Sequence, residues 1–393
     1  MAPEATARPP HRLWVISALG IVQIFTWGTS FYLPAVFAGP IAEETGWPLS
    51  WVVGGLSIGL LAAAVASPYV GATIHHRGGR PVLALAALLL SAGLATLAVA
   101  PALPVYLAGW FLLGLGMGCG LYDPAFATLG RLYGSEARPA ITTLTLWGGF
   151  ASTVCWPLSA FLVQHFGWRG ACLAYAGLHL VITLPLVLLF IPKPPAPAVE
   201  ATKGPDITAP LTGRDRLLFL LFGGVLVIGG VIMTMVSVHL IVLLQARDVP
   251  LAAAVSFGAL IGPAQVGARV VEMSLKGRHH PLWTLTAAFG LIAMGLLLLA
   301  LGLPWVSLWL VLYGAGNGIY SISRGTVPLA LFGPARYPVL VGRLARPGLI
   351  AQALAPSIGA LVLTNAGADA LLWALLGLAL VNLVVIGGLW RFR

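Results

Sequence analysis

Charged side chains are scarce. Asp, Glu, Lys and Arg make up 8% of the 393 residues, where a soluble globular protein carries about 25%. Acidic residues are the rarer sign, 11 against 21 Lys plus Arg. Cysteine occurs three times, at Cys119, Cys155 and Cys172, each in an apolar run and without CxxC or ligand spacing. That pattern excludes a disulfide framework and gives no metal site; free cysteines of this kind pack as small buried hydrophobes. No phosphate loop of the GxxxxGK[ST] type and no redox or metalloprotease motif occurs, so nothing supports ATP-driven pumping or a bound cofactor. The few His, Asp and Glu residues assemble no base–nucleophile–metal set, which weighs against a multi-pass membrane enzyme. Nothing resembles a filter loop or charged ring, which weighs against a channel.

Apolar residues fill the space left by the missing charge, at 59% of the chain. A water-soluble domain cannot hide that much apolar surface. Runs long enough to cross a bilayer are read at 13–38, 51–72, 81–100, 105–130, 140–163, 170–191, 217–245, 251–273, 281–301, 305–330, 347–365 and 370–390. Each must be helical, because hydrocarbon offers no partner to backbone N–H and C=O. The first run follows Arg8, His11 and Arg12; its length and the eleven runs after it favour an uncleaved helix over a signal peptide. The expected fold class is an all-α membrane protein of twelve transmembrane helices.

The positive charges fall on one side of these spans. With the N-terminus in the cytoplasm, the even-numbered connections hold Arg77 and Arg80, Arg131 and Arg138, Lys193, Lys203, Arg214 and Arg216, Lys276 and Arg278, and Arg336, Arg343 and Arg346. The opposite side holds only Arg169 and Arg247, beside Glu43, Glu44, Asp248 and Asp369. This bias places both termini in the cytoplasm of an inner-membrane protein. It also accounts for a net charge of +10 without nucleic acid.

Residues 192–216, rich in Pro and charge and without an apolar face, read as a cytoplasmic linker. They divide the chain into residues 1–191 and 217–393. The halves look related at an offset of 200: Gly114, Gly116 and Gly118 recur as Gly314, Gly316 and Gly318, Pro81 as Pro281, and Ser152 meets Gln352. A parallel repeat of two six-helix bundles puts a substrate path between the halves near the midplane.

Here the sequence resembles the major facilitator superfamily of secondary transporters, over nearly its whole length. The loop after span two, Gly71 to Arg80, is similar to the family's signature loop: Gly71, Gly78 and Arg80 match, and His75 stands where the family usually has Asp. Phe166-Gly167-Trp168-Arg169, entering span six, is also common there. Trp156-Pro157-Leu158-Ser159-Ala160 lacks the glycines that mark many drug/proton antiporters in span five.

Intramembrane charge is the strongest pointer to chemistry, because a charged side chain at the bilayer centre costs about 2.5–3.5 kcal/mol on insertion scales. Asp123 in span four and Arg324 in span ten lie one residue apart at the repeat offset. They are expected to face one pathway as a pair or proton-linked switch. Asn317, Tyr320 and Ser321 share the face of Arg324 at helical spacing. In span eight, Gln265, Arg269 and Glu272 form a second stripe. Arg269 either pairs with Glu272 at i+3 or serves substrate. The pair Ala268-Arg269 resembles the arginine in the eighth helix of monocarboxylate and oxalate transporters, which engages a substrate carboxylate; a planar guanidinium suits that task. Gln23, Trp27, Ser30 and Pro34, with Tyr32 adjacent, mark a cavity face of span one. Thr145, Gly149, Ser152, Trp156 and Ser159 mark one in span five. His239 in span seven is either a titrating or a hydrogen-bonded structural imidazole. The adjacent pairs His75-His76 and His279-His280 point apart and do not read as metal sites.

These features lead to a symporter that moves a small organic anion by alternating access, in its most concrete form a monocarboxylate with a proton or other coupling ion. Efflux of an amphipathic drug or metabolite is the alternative.

Overall fold

The computed structural model describes residues 12–193, 211–275 and 278–393. The core of the expected linker, 194–210, and the basic segment 1–11 lie outside the described residues. Among the described residues the chain is helical with no strand. The first half runs α1 (Arg12–Gly28), α2 (Pro34–Thr45), α3 (Leu49–Arg77), α4 (Gly79–Ala98), α5 (Leu103–Gly120), α6 (Tyr122–Tyr133), α7 (Ala137–Gly149), α8 (Ala151–Leu178) and α9 (Leu184–Phe190). The second runs α10 (Gly213–Gln245), α11 (Leu251–Gly258), α12 (Ile261–Ser274), α13 (Pro281–Ala300) and α14 (Val306–Phe392).

Among the described residues, six helical stretches are long and apolar enough to cross a membrane. The longest cannot be single rods. As one straight helix the 87 residues of α14 would reach about 130 Å, several times a bilayer. The chain turns instead at glycines with positive φ: Gly333 (71°) and Gly367 (83°) within α14, and Gly167 (65°) within α8. Gly167 and Gly367 stand 200 residues apart and make the same corner, a conformation that side chains with a Cβ rarely adopt.

Close packing repeats at the same offset. Gly114 and Gly118 of α5 meet Gly59 and Ala63 of α3, and Gly314 and Gly318 of α14 meet Ile261 and Gln265 of α12. Gly116 meets Leu90 of α4, and Gly316 meets Ala288 and Ile292 of α13. The missing side chains let these backbones approach. Apolar cores fill each half around such contacts, with Phe222, Phe289 and Trp309 in one and Trp110, Trp168 and Tyr175 in the other.

Several runs expected to be continuous are broken. The first continues past residue 38 to Thr45 but is interrupted by a turn at 29–33. The fourth breaks at Leu121, whose backbone is extended (φ −71°, ψ −166°). The sixth contains a π-helical turn, His179–Thr183. Interruptions at membrane depth persist only where protein or a cavity re-satisfies the backbone. Here Gln23 Nε2 donates to Gly120 O (2.6 Å) at the break, and Thr29 and Ser30 hydroxyls donate to Phe25 O and Thr26 O.

Connections alternate between two ends. One end holds the turns near 78, 134, 278–280 and 333; the other holds those near 46, 100, 167, 248, 302 and 367. The two arginines that break the charge bias, Arg169 and Arg247, sit at the second end. Arg169 pairs with Glu44 (3.1 Å) and donates to Ala98 O and Ala100 O at the C-terminus of α4. Arg247 pairs with Asp369 (2.7 Å) and donates to Leu299 O and Ala300 O at the C-terminus of α13. Both cap carbonyls that a helix end leaves open.

Candidate functional site

The halves meet toward the first end. Gly71 of α3 abuts Pro338 O and Gly342 of α14, and Gly342 in turn abuts Ser67 O. Gly130 of α6 lies against the ring of Tyr337, whose hydroxyl donates to Gly325 O (2.6 Å). Beyond these, Arg138 of α7 reaches Glu272 of α12 (3.8 Å) and donates to His279 O (2.5 Å).

Deeper in, Asp123 and Arg324 form an ion pair between the halves. One guanidinium nitrogen, Nη2, donates to both carboxylate oxygens, at 3.1 and 2.8 Å. Their side chains are 18% and 15% exposed. The break at Leu121 puts Asp123 in the first turn of α6, where the positive end of the helix dipole favours an anion. Pro124 follows without penalty, since a first-turn residue needs no intrahelical N–H bond. Arg324 Nε has no hydrogen-bond partner among the described residues.

A small cavity of about 30 Å³, partly open to solvent, lies at this pair. Asp123, Arg324, Trp27, Phe31, Tyr122 and Met117 line it, with Gln352 and Ser67 adding polar groups. Trp27 packs on Tyr122 (centroids 5.0 Å apart) and on Tyr32 (5.9 Å), and Tyr32 meets Trp156 edge-on (6.2 Å). Gln23, placed on the cavity face by sequence, is instead fully buried; it accepts from Trp27 Nε1 (3.2 Å) and braces the helix break.

Arg269 is 5% exposed. Its expected partner Glu272 is not engaged. Nε donates to Gly318 O (3.1 Å) on α14, and Nη1 donates to Thr145 O (2.9 Å) on α7. The guanidinium fills the space beside Gly149 and acts electrostatically on the hydroxyls of Tyr32 and Tyr122. It therefore sits at the seam, with carbonyls but no carboxylate within salt-bridge distance among the described residues. Glu272 instead accepts from Thr284 (2.8 Å) and lies 3.2 Å from His279.

Other sequence candidates fall elsewhere. Tyr320 shares a helix with Arg324 but turns into its own half: it is 3% exposed, donates to Leu226 O (3.4 Å) and stacks edge-on against Phe289. His239 lies 3.1 Å from Pro356 O, a contact within the second half. Asn317, Gln265 and Ser152 are half-buried and outside the cavity lining. In the signature loop, Gly78 has a positive φ (78°). His75 packs on His76 and lies within reach of Arg131, and burial together with these two neighbours holds its imidazole below the usual histidine range.

The sequence reading missed His179. Its fully buried ring in the π-turn joins Thr29 Oγ1 (2.7 Å) at the break in the first span and Thr183 Oγ1 (3.0 Å). A titratable residue within an apolar run was the available signal. The Arg138–Glu272 contact was also missed, because loop-end charges read as topology.

A model of the Major Facilitator Superfamily matches residues 16–343. Monocarboxylate transporter 11 of Mus musculus is 32% identical over 314 residues, 77% of this chain and 66% of that protein. The Homo sapiens protein of the same name is 31% identical over 319 residues, 79% and 63% of the two chains. Monocarboxylate transporter 3 of Rattus norvegicus is 32% identical over 184 residues, 45% of this chain and 37% of that one. The chain thus spans between about a third and two thirds of these relatives' length. Among solved structures, a human organic anion transporter superposes with a TM-score of 0.74 at 19% identity, covering 96% of this chain and all of the other. The E. coli fucose:proton symporter gives 0.71 at 16%, with coverage of 96% and 98%. At these identities the likeness is one of fold.

Proposed function

The chain belongs to the Major Facilitator Superfamily, a family of transporters rather than enzymes, and on that premise we propose that it moves a small organic anion by alternating access. The reading takes the fold as twelve transmembrane helices in two bundles, 1–191 and 217–393, joined by the 192–216 linker. Both termini lie on the cytoplasmic side of the inner membrane. Rocking of one bundle against the other about the midplane exposes the site to each side in turn.

One observation carries the choice of an anion. Two guanidinium groups lie at the seam: Arg324 is paired with Asp123, and Arg269 is held by backbone carbonyls without a carboxylate of its own among the described residues. The excess positive charge favours an anion in a low-dielectric site. Monocarboxylate transporters among the relatives support the same cargo class.

The ion pair supplies a route for coupling. A substrate carboxylate displaces Asp123 from Arg324, and a proton taken up by Asp123 keeps the site's net charge unchanged. Anion and proton then cross together. The test is counterflow of labelled monocarboxylates in proteoliposomes at several pH values. Saturable anion exchange, lost in Arg324→Gln and insensitive to pH in Asp123→Asn, is the expected result. Cation transport undiminished in Arg324→Gln would replace this reading with efflux of an amphipathic compound, which the aromatic cavity wall favours as the second possibility.

A further inference from the structure

The rings and the cations near the seam come from opposite halves, and of them Trp27, Phe31, Tyr122 and Arg324 line the cavity. Trp27, Phe31, Tyr32, Tyr122 and Trp156 form a continuous aromatic run. Neighbouring centroids lie 5.3 Å (Trp27–Phe31), 5.9 Å (Trp27–Tyr32), 5.0 Å (Trp27–Tyr122) and 6.2 Å (Tyr32–Trp156) apart, all within the range of direct ring contact. All five belong to the first half. Trp156 is 45% exposed. Gly149, at the end of the preceding helix, abuts the Arg269 guanidinium of the other half. Tyr32, which meets Trp156, lies near Arg269 at the cleft between the halves. Across the cleft stand Arg269 and Arg324. Arg324 spends Nη2 on Asp123 and leaves Nε without a partner among the described residues.

We propose that the cargo is a planar aromatic monocarboxylate, with its ring against the Trp27–Tyr32–Trp156 wall and its carboxylate on a guanidinium of the opposite half. This names the substrate class of the anion reading above and rests on it. A run of five rings is more than an aliphatic acid needs, since apolar area alone would do. Ring faces and edges carry opposite partial charge, so a flat π-system gains from stacked or edge-on contact beyond its area. An aromatic wall also attracts cations, but two arginines facing it repel them. A single carboxylate matches the free donors, because Asp123 already occupies part of Arg324. A ligand seated this way touches both halves at once and so links the two bodies that must move.

The experiment measures binding to the full-length protein of two anions of equal charge and similar size, phenylacetate and cyclohexylacetate. Phenylacetate should bind about five-fold more tightly, the value of one good ring contact. Trp156→Leu and Tyr32→Leu should each erase most of that preference, and Trp156→Phe should keep it. Trp283→Leu, at an exposed ring packed on Trp390 well away from the cavity, should leave it unchanged. Equal affinities in the unmodified protein, or a preference that survives both leucine variants, overturns the aromatic assignment and leaves the anion reading standing. Binding of neither carboxylate overturns both.

Discussion

Arg169 and Asp369 occupy the same place in the two halves and carry opposite charge. Each follows the glycine corner, Gly167 or Gly367, by two residues. Arg169 reaches back to Glu44 at the end of α2, and Asp369 is reached by Arg247 just past the end of α10. In both halves the arginine of the pair caps the helix packed alongside, α4 or α13. The contact has survived with its two signs exchanged. A pairwise sequence comparison scores that as two mismatches.

The cap and the ion pair should separate on mutation. Asp369 is 70% exposed, and a pair of that kind contributes little, so Asp369→Ala should leave the melting temperature nearly unchanged. Arg247→Ala also strips two helix-end carbonyls of their donor and should cost about 1–2 kcal/mol. Thermal unfolding in detergent of the two variants checks the order.

Removing one partner of the Asp123–Arg324 pair leaves a charge largely shielded from water, at a cost of about 3–5 kcal/mol for a fully buried pair. Arg324→Gln and Asp123→Asn should each lower stability, with exchange lost in the first and kept but insensitive to pH in the second. The double variant should regain most of the stability and none of the transport. Melting curves and counterflow on the same preparations test both halves of that statement.

The contact of Arg138 with Glu272 and His279 O joins the two halves beside the turns near 134 and 279. Glu272→Gln should weaken it and admit solvent to the seam. A cysteine placed at Thr145, which is fully buried beside Arg269, should be labelled by a water-soluble maleimide several-fold faster in the Glu272→Gln background. Labelling at an unchanged rate would remove the contact from any gating role. The three native cysteines are buried and give a low background.

His75 has its imidazole held below the usual range by burial, His76 and Arg131. The unfolded chain then binds the proton more readily, so stability rises with pH through the histidine range and falls as pH drops toward 5. His75→Asp should reverse the local interaction, because a carboxylate attracts Arg131 and His76 instead of being repelled by them. The variant should melt higher at pH 7 and show a shallower loss between pH 7 and 5.

The helices were legible because uninterrupted apolar runs leave the backbone no other choice in lipid. Asp123 and Arg324 were legible because a charge within such a run is costly enough to need a reason. The breaks were legible only in part. Pro34 and Pro124, which have no N–H for the carbonyl four residues back, are the sign in sequence of the turn at 29–33 and of the break at Leu121, and the contacts that complete these breaks are tertiary: Gln23 on Gly120 O, His179 beside Thr29. Partners of Arg269 were hidden, since a backbone carbonyl leaves no mark on side-chain spacing. Tyr320 shows the limit of a helical stripe: residues four apart share a face, yet that face can straddle the boundary between a cavity and a core.

The interruption at Leu121 also determines what must move when Asp123 lets go of Arg324. The carboxylate rides on α6, twelve residues long, and not on one rod reaching across the bilayer. A short arm on a pivot converts the making or losing of one bond into an angle. Gly130, toward the far tip of that arm, rests on the Tyr337 ring. A swing of a few degrees about Leu121 would be magnified there along the length of the arm, so that an event at a single carboxylate reaches the next contact layer as a mechanical displacement.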